Sequence, residues 1–219
     1  MTRIVRVILL SLLLSGCIKQ YVPDLTEKSI EGNLIPSVPF GWLWTGTSLE
    51  NYGLFYDTKC IRSGTRSMSL LSVSALSTKF ASLQQSIEAR NYAGKRVRFT
   101  AFVRTNRVRG WSGIWLRADT PTRQAAAFDN MSDRKIEGSV EWRQYHIVLD
   151  IPDNSMYINY GILLHGTGQI WIDDCAFEIV GDSVQTTGTW RRGTDTKSSR
   201  EPYCQDEPIN LDFEIVTDQ

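Results

Sequence analysis

The sequence has few histidines, no charge imbalance and no catalytic signature. Lys+Arg and Asp+Glu number 24 each over 219 residues. That balance gives no basic field for nucleic acid and no acidic solvating tract. Only two histidines occur, His146 and His165, and no Cys-x-x-Cys or mixed Cys/His cluster has zinc spacing. The chain has no G-x-S-x-G elbow, H-E-x-x-H helix, Walker A loop or Rossmann glycine pattern. Paired carboxylates occur as in any chain of this size, and their spacing gives no support for a glycosidase. No apolar run is long enough to span a bilayer as a mature helix. No long stretch carries the period of an amphipathic helix. These absences disfavour most enzyme classes. What is plentiful is aromatic: seven Trp and eight Tyr, which suits a β-rich chain with a sizeable core.

The N-terminus carries the sharpest signal. Arg3 and Arg6 precede an apolar run from Val7 to Leu14, followed by Ser15, Gly16 and Cys17. A positive start, a short apolar middle and small residues before a cut are the parts of an export signal. The ending Leu14-Ser15-Gly16-Cys17 resembles the bacterial lipobox. That resemblance implies cleavage before Cys17 and a diacylglycerol on its sulfur. With Ile18 rather than Asp next, it implies the outer membrane of a Gram-negative envelope, on its periplasmic face or its surface. Several acyl chains make a stable anchor where one alone is marginal. The alternative is an ordinary cleaved signal with an unrelated cysteine.

The expected organisation follows. Residues 1–16 are a lipoprotein signal peptide and residues 17–31 a lipidated tether. Residues 32–181 form the folded domain. Residues 182–219 are a polar tail, ending in a strand-like alternation of Leu211, Phe213 and Ile215. Export would put Cys60, Cys175 and Cys204 where disulfides persist. Three cysteines allow at most one internal bridge. Cys60–Cys204 or Cys175–Cys204 would tie the tail to the body, and the sequence does not choose between them.

Within the body, strands show as alternation. In 95–104, Val97, Phe99, Ala101 and Val103 share one face, opposite Arg96, Arg98, Thr100 and Arg104. Met68 and Leu70 oppose Ser67 and Ser69, and Ile114 and Leu116 oppose Trp115 and Arg117. Tyr145, Ile147 and Leu149 align in 141–150. The run 157–164 is apolar at nearly every position, as for a strand covered on both sides. Segment 169–180 reads as two short strands around Asp173-Asp174. A short helical turn is expected near Gln84–Tyr92. Ser63-Gly64, Ala93-Gly94, Pro152-Asp153-Asn154 and Gly166-Thr167-Gly168 read as turns. Many short strands without a long helix predict an all-β fold, a jelly-roll β-sandwich of two antiparallel sheets.

Particular residues carry a resemblance as well. Asn33, Gly41-Trp42, Ser63-Gly64-Thr65-Arg66-Ser67 and Trp171-Ile172-Asp173-Asp174 resemble the jelly roll of carbohydrate-binding modules with the galactose-binding-like fold. Segments 92–105, 110–119, 126–152 and 161–180 together resemble a bacterial module of uncertain function, found alone in exported proteins or fused to transcriptional regulators. Such modules often open on an NLxFE segment before the Gly-Trp pair. Here Asn33-Leu34 is followed by Ile35-Pro36, and an NLDFE segment stands instead at 210–214. It is either the remnant of a second copy or a strand supplied late in the chain.

The candidate ligand-binding residues are Trp111, Trp115, Arg117, Asp129, Asn130, Trp42, Trp44 and His165. A flat aromatic beside an arginine suits a sugar, the ring covering a C–H face and the charged fork bonding hydroxyls. The competing reading makes Trp115 core and pairs Arg117 with Asp119 or Asp129. Asp129-Asn130 shapes a turn or meets a hydroxyl or cation. Trp42 and Trp44 form a loop platform or a lid on one end of the sandwich. Asp173 and Asp174 are the candidates for a structural Ca²⁺, and no other cofactor is expected. His165 is the one tempting base, but no partner nucleophile is evident.

The primary expectation is a non-catalytic, lipid-anchored envelope protein that binds a glycan or other small polar ligand. A structural or interaction scaffold is the alternative. A hydrolase or lyase acting on an envelope polymer ranks third.

Overall fold

The computed structural model describes residues 34–188 and 204–216. The leader, Cys17 and the tether lie outside the described residues. The strands are β1 (Leu34–Pro36), β2 (Leu43–Gly46), β3 (Tyr52–Asp57), β4 (Ser67–Ser72), β5 (Phe80–Glu88), β6 (Arg96–Asp119), β7 (Ala125–Asp129), β8 (Ile136–Asp150) and β9 (Tyr157–Val180). Every strand pairing is antiparallel. A 3₁₀ turn at Leu49–Asn51 is the sole helical element among the described residues.

Two strands of 24 residues, β6 and β9, organise the fold. The first half of β6, from Arg96 to Asn106, pairs with β9 from Val180 to Gln169. After a bulge, Arg109 to Asp119 pairs with Thr167 to Tyr157. The remaining strands divide between the two halves. One layer runs β1-β3-β4-β9-β6-β8, and the other β2-β5-β9-β6-β7. The result is an all-β sandwich whose two long strands turn the corner and serve both layers.

One hydrophobic cluster fills the space between the layers. Val97, Phe99, Ala101 and Val103 are all fully buried, as the alternation requires. Tyr160 of β9 lies 5.0 Å from Phe99 of β6 and 4.9 Å from Phe177, centroid to centroid. Each such aromatic buries a large area and holds the layers in register.

Several local expectations are corrected. Segments 95–104 and 112–118 are one bent strand, as are 157–164 and 169–180. The reason lies in the glycines. Gly166 (φ 91°) and Gly168 (φ 120°) make the backbones approach at the corner and do not end the strand. A Cβ on Gly166 would sit 2.1 Å from the Arg109 carbonyl oxygen. Asp174, at φ 48°, bulges inside β9 and does not break it. Most of the expected helical stretch at Gln84–Tyr92 is β5, with a turn beginning at Ala89. Its alternation is blurred because Gln85 occupies a core-facing position.

Segment 204–216 docks on the body without forming the expected strand. Asn210 and Phe213 both have positive φ, which folds the segment into turns. One parallel bridge, Ile87 to Gln205, starts the docking. Gln85 then clasps the backbone of Ile209 from both sides, donating through Nε2 and accepting through Oε1, each at 2.9 Å. The Trp42 indole N–H donates to the Asn210 carbonyl at 3.0 Å. The Phe213 ring is fully buried, 5.1 Å from Trp42. Glu214 accepts from the Thr65 and Arg66 N–H groups and from the Thr65 hydroxyl. Of the two readings of NLDFE, the structure supports a segment supplied late to the body. Residues 182–188 also adhere: Thr187 exchanges hydrogen bonds with Val148, and Arg96 donates to the carbonyls of Asp182 and Val184.

Candidate functional site

The site is built by register. Across β5, β9 and β6 the pairing lines up rows Phe80–His165–Trp111, Ser82–Leu163–Gly113, Gln84–Gly161–Trp115 and Ser86–Asn159–Arg117. The alternate rows, such as Leu83–Ile162–Ile114 and Gln85–Tyr160–Leu116, are fully buried in the core. The first set therefore forms the outer face of this layer. On it, Trp111, Trp115, Arg117, Leu163, Gln84 and His165 are half-buried, and Phe80 is 36% exposed.

Trp115 is held flat. Its indole N–H donates at 2.9 Å to the hydroxyl of Ser82, which itself donates to the Ile162 carbonyl at 2.8 Å. Ser82 stands two strands away, so the ring must cross β9, over the row where Gly161 offers no side chain. The indole is half-buried, so part of it meets solvent on this face. Gln84 and Thr45 stand beside it, joined by a 3.0 Å hydrogen bond.

At one end of this face, Trp111 stacks on His165, with centroids 6.3 Å apart and planes 26° apart. Lys135 lies over Trp111 at 5.8 Å. The His165 Nδ1 is buried and has no hydrogen-bond partner among the described residues. At the other end, Arg117 Nε donates to Asp119 Oδ1 at 2.6 Å, and Asn159 donates to Asp119 Oδ2 at 2.9 Å. Burial raises the Asp119 carboxyl above the usual range, and the Arg117 charge opposes that rise. Arg117 is thus committed to a structural ion pair, as the competing sequence reading had it.

Other expected site residues lie elsewhere. Trp42 and Trp44 are 3% and 4% exposed and belong to the core, so neither is a loop platform. Asp129 is buried, bonded to Arg134 at 2.6 Å, to the Thr187 hydroxyl at 2.7 Å and to the Met131 N–H. Asn130 accepts from the Ser132 N–H, closing an Asx turn. Both build the 130–135 loop rather than a sugar-binding face. Asp173 accepts the N–H groups of Arg62, Ser63 and Asp174, while Asp174 accepts the Ser63 hydroxyl. Their oxygens are engaged in pinning the 60–66 loop. Among the described residues no group of three or more His, Cys, Asp or Glu could hold a metal ion. Cys60, Cys175 and Cys204 are all free, so neither expected bridge is formed. Cys175 is sealed in the core, while Cys60 lies 3.0 Å from the Arg104 guanidinium.

Ser82, Gln84, Leu163 and Gly161 were not anticipated at the site. The signal was present as the alternation of Ser82, Gln84 and Ser86 against Ala81, Leu83 and Ile87, but the polar Gln85 obscured it.

No family model matches the chain. It is 33% identical over 200 residues to YbfP, an uncharacterised HTH-type transcriptional regulator of Bacillus subtilis (strain 168). The match takes in 91% of this chain and 64% of the regulator, so the chain spans under two thirds of that relative's length. Among solved structures, the enzymatically active domain of tailspike protein 4 of bacteriophage CBA120 matches with a TM-score of 0.51 at 14% identity. That match covers 64% of this chain and 20% of the tailspike chain, and at this identity it speaks to fold alone. A C-terminal family 22 carbohydrate binding module of Clostridium thermocellum Xyn10B matches with a TM-score of 0.46 at 14% identity, over 74% of this chain and 100% of the module.

Proposed function

We propose that the sandwich binds a glycan, without catalysis, on the outer face of β5, β9 and β6. The observation that carries this reading is Trp115, whose indole is laid along the sheet by its bond to Ser82 and left partly exposed. Such a ring covers the C–H face of a pyranose, and amide and hydroxyl groups beside it bond the ring hydroxyls. Gln84 and Thr45 supply those groups. The sequence resemblance to carbohydrate-binding jelly rolls points the same way. The lipobox-like Leu14-Ser15-Gly16-Cys17 supports placing the chain in the cell envelope, anchored through lipid on Cys17.

The test is a glycan array probed at neutral pH with and without Ca²⁺, comparing the native chain with Trp115→Ala. We expect a hit weakened at least ~10-fold by the substitution, since a stacking aromatic commonly contributes more than about 1.4 kcal/mol. We expect Ca²⁺ to leave it unchanged, because the Asp173 and Asp174 oxygens are already engaged. Silence across the array, with Trp115→Ala unfolding the chain, favours the alternative of an interaction scaffold. The observation behind that alternative is the Arg117–Asp119 pair, whose side chains are only 15% and 4% exposed.

A further inference from the structure

The corner where β6 and β9 change layers holds an open cleft of ≈ 730 Å³ that the glycan face does not use. Arg107, Arg109, Ser72, Ser74 and Thr167 line it. Its backbone is unusual. The bulge in β6 between Asn106 and Arg109 leaves Arg107 at φ 52°, in the left-handed region. A Cβ on Gly168 would meet the Arg107 carbonyl at 2.8 Å, so the two strands cross in close contact there. Strain of this kind persists where the surroundings over-determine it, and it concentrates at binding sites.

The charges are unusual too. Four arginines elsewhere on the strands meet carboxylates: Arg96 with Asp150, Arg98 with Glu178, Arg104 with Glu141, and Arg117 with Asp119. Arg107 and Arg109 make no such pair among the described residues. Two lysines lie on segments next to the corner. The Lys79 carbonyl accepts the Gly166 N–H at 3.0 Å, and Lys135 sits over Trp111, which pairs with His165 two positions before Thr167. Glu137, beside Gly138 in the cleft wall, is the one carboxylate adjoining the lining in sequence. Two arginines in the lining, with one carboxylate adjoining it and hydroxyls around them, form a receptor for an oxyanion.

We infer that this cleft selects an anionic glycan: the arginines take a sugar carboxylate or sulfate while the chain of sugars continues past Trp111 toward Trp115. The inference rests on the glycan reading above and adds its charge specificity. Guanidinium forks match planar oxyanions bidentately, and the hydroxyls of Ser72, Ser74 and Thr167 suit neighbouring sugar oxygens.

The test measures binding of the full chain to polygalacturonate, a sulfated glycan and neutral xylan, each over a salt series. Three variants are compared: Arg107→Gln/Arg109→Gln, Trp115→Ala, and Arg143→Gln as an exposed cation of β8 away from the cleft. The expected result is at least ~10-fold tighter binding of one acidic polymer than of xylan, lost in the double variant and at high salt, and kept in Arg143→Gln. Equal binding of acidic and neutral polymers, sensitive to Trp115→Ala alone, overturns the charge selection and leaves the glycan face standing. Equal losses from Arg143→Gln and the double variant overturn the cleft as the seat of selection. Binding to no polymer overturns both readings. Vesicles of anionic lipid bound in place of acidic polymer, and released by Leu76→Ser, would also overturn it: Leu76 is 91% exposed beside the cleft and would then meet a membrane.

Discussion

Phe213 sits near the far end of the chain, yet its ring is fully buried against Trp42. Truncating a buried phenyl ring removes its transfer free energy and leaves a cavity that the surroundings only partly close. Phe213→Ala should therefore destabilise the protein by about 3–5 kcal/mol in urea unfolding. A change below about 1 kcal/mol would mean that the late segment is only draped on the body. Trp42 and Trp115 make the same point about side-chain fate. Both are tryptophans next to a glycine or in an alternating run, and the sequence alone left each open between an exposed platform and a covered position. Trp42 lost its exposure because Asn210 and Phe213 close over it, whereas Trp115 kept part of its face because β5 offers a hydroxyl rather than a bulky cover.

At the scale of elements, the 58–66 loop is held by carboxylates from three places. Asp57 accepts the Lys59 and Cys60 N–H groups, Asp173 those of Arg62 and Ser63, and Glu214 those of Thr65 and Arg66. Burial pushes the Asp173 carboxyl up to about 6 from its ordinary 3.8, against the pull of its N–H partners. Between those values the folded state holds a proton that the unfolded chain has released. The contribution of Asp173 is thus complete below about pH 3.8 and declines as pH climbs through about 6. Asp173→Asn cannot titrate, so the stability difference between native chain and variant should narrow from pH 4 to pH 6 in thermal melts, about the span of that shift. A difference that widens would show that the N–H donors, rather than burial, govern the group. Strands β6 and β9 were legible in the sequence as faces but not as single elements. Glycine and Asp-Asp pairs that mark turns in isolation here serve strand crossing and a bulge, and only the partner backbone distinguishes the cases.

For the molecule as a whole, cohesion comes from the shared core and the docked late segment, with no covalent bridge among Cys60, Cys175 and Cys204. Removing a native disulfide typically costs about 2–5 kcal/mol, which would lower the melting midpoint of a chain this size by at least about 4 °C. A reducing agent should therefore leave the midpoint unchanged. A drop of that size would reveal a bridge. The all-β class and the sandwich were legible because alternation with period two recurs from residue 66 onward. Of the expected site, Trp111, Trp115 and His165 come together on one face, while Trp42, Trp44, Asp129, Asn130, Asp173 and Asp174 serve the core, a loop turn and a loop anchor.

By itself, the sequence determined the strand faces, most of the turns and the apolar content of the core, because those depend on neighbours along the chain. The tertiary structure alone decided three things. Gln85 faces inward because a segment over a hundred residues later needs its amide. Trp115 lies flat because Ser82 stands two strands away at the right height. Among the described residues Arg107 and Arg109 are left without carboxylates because the corner brings glycines and hydroxyls to them instead. Each of these depends on strand register and on which backbones meet, and neither is written in the local order of residues.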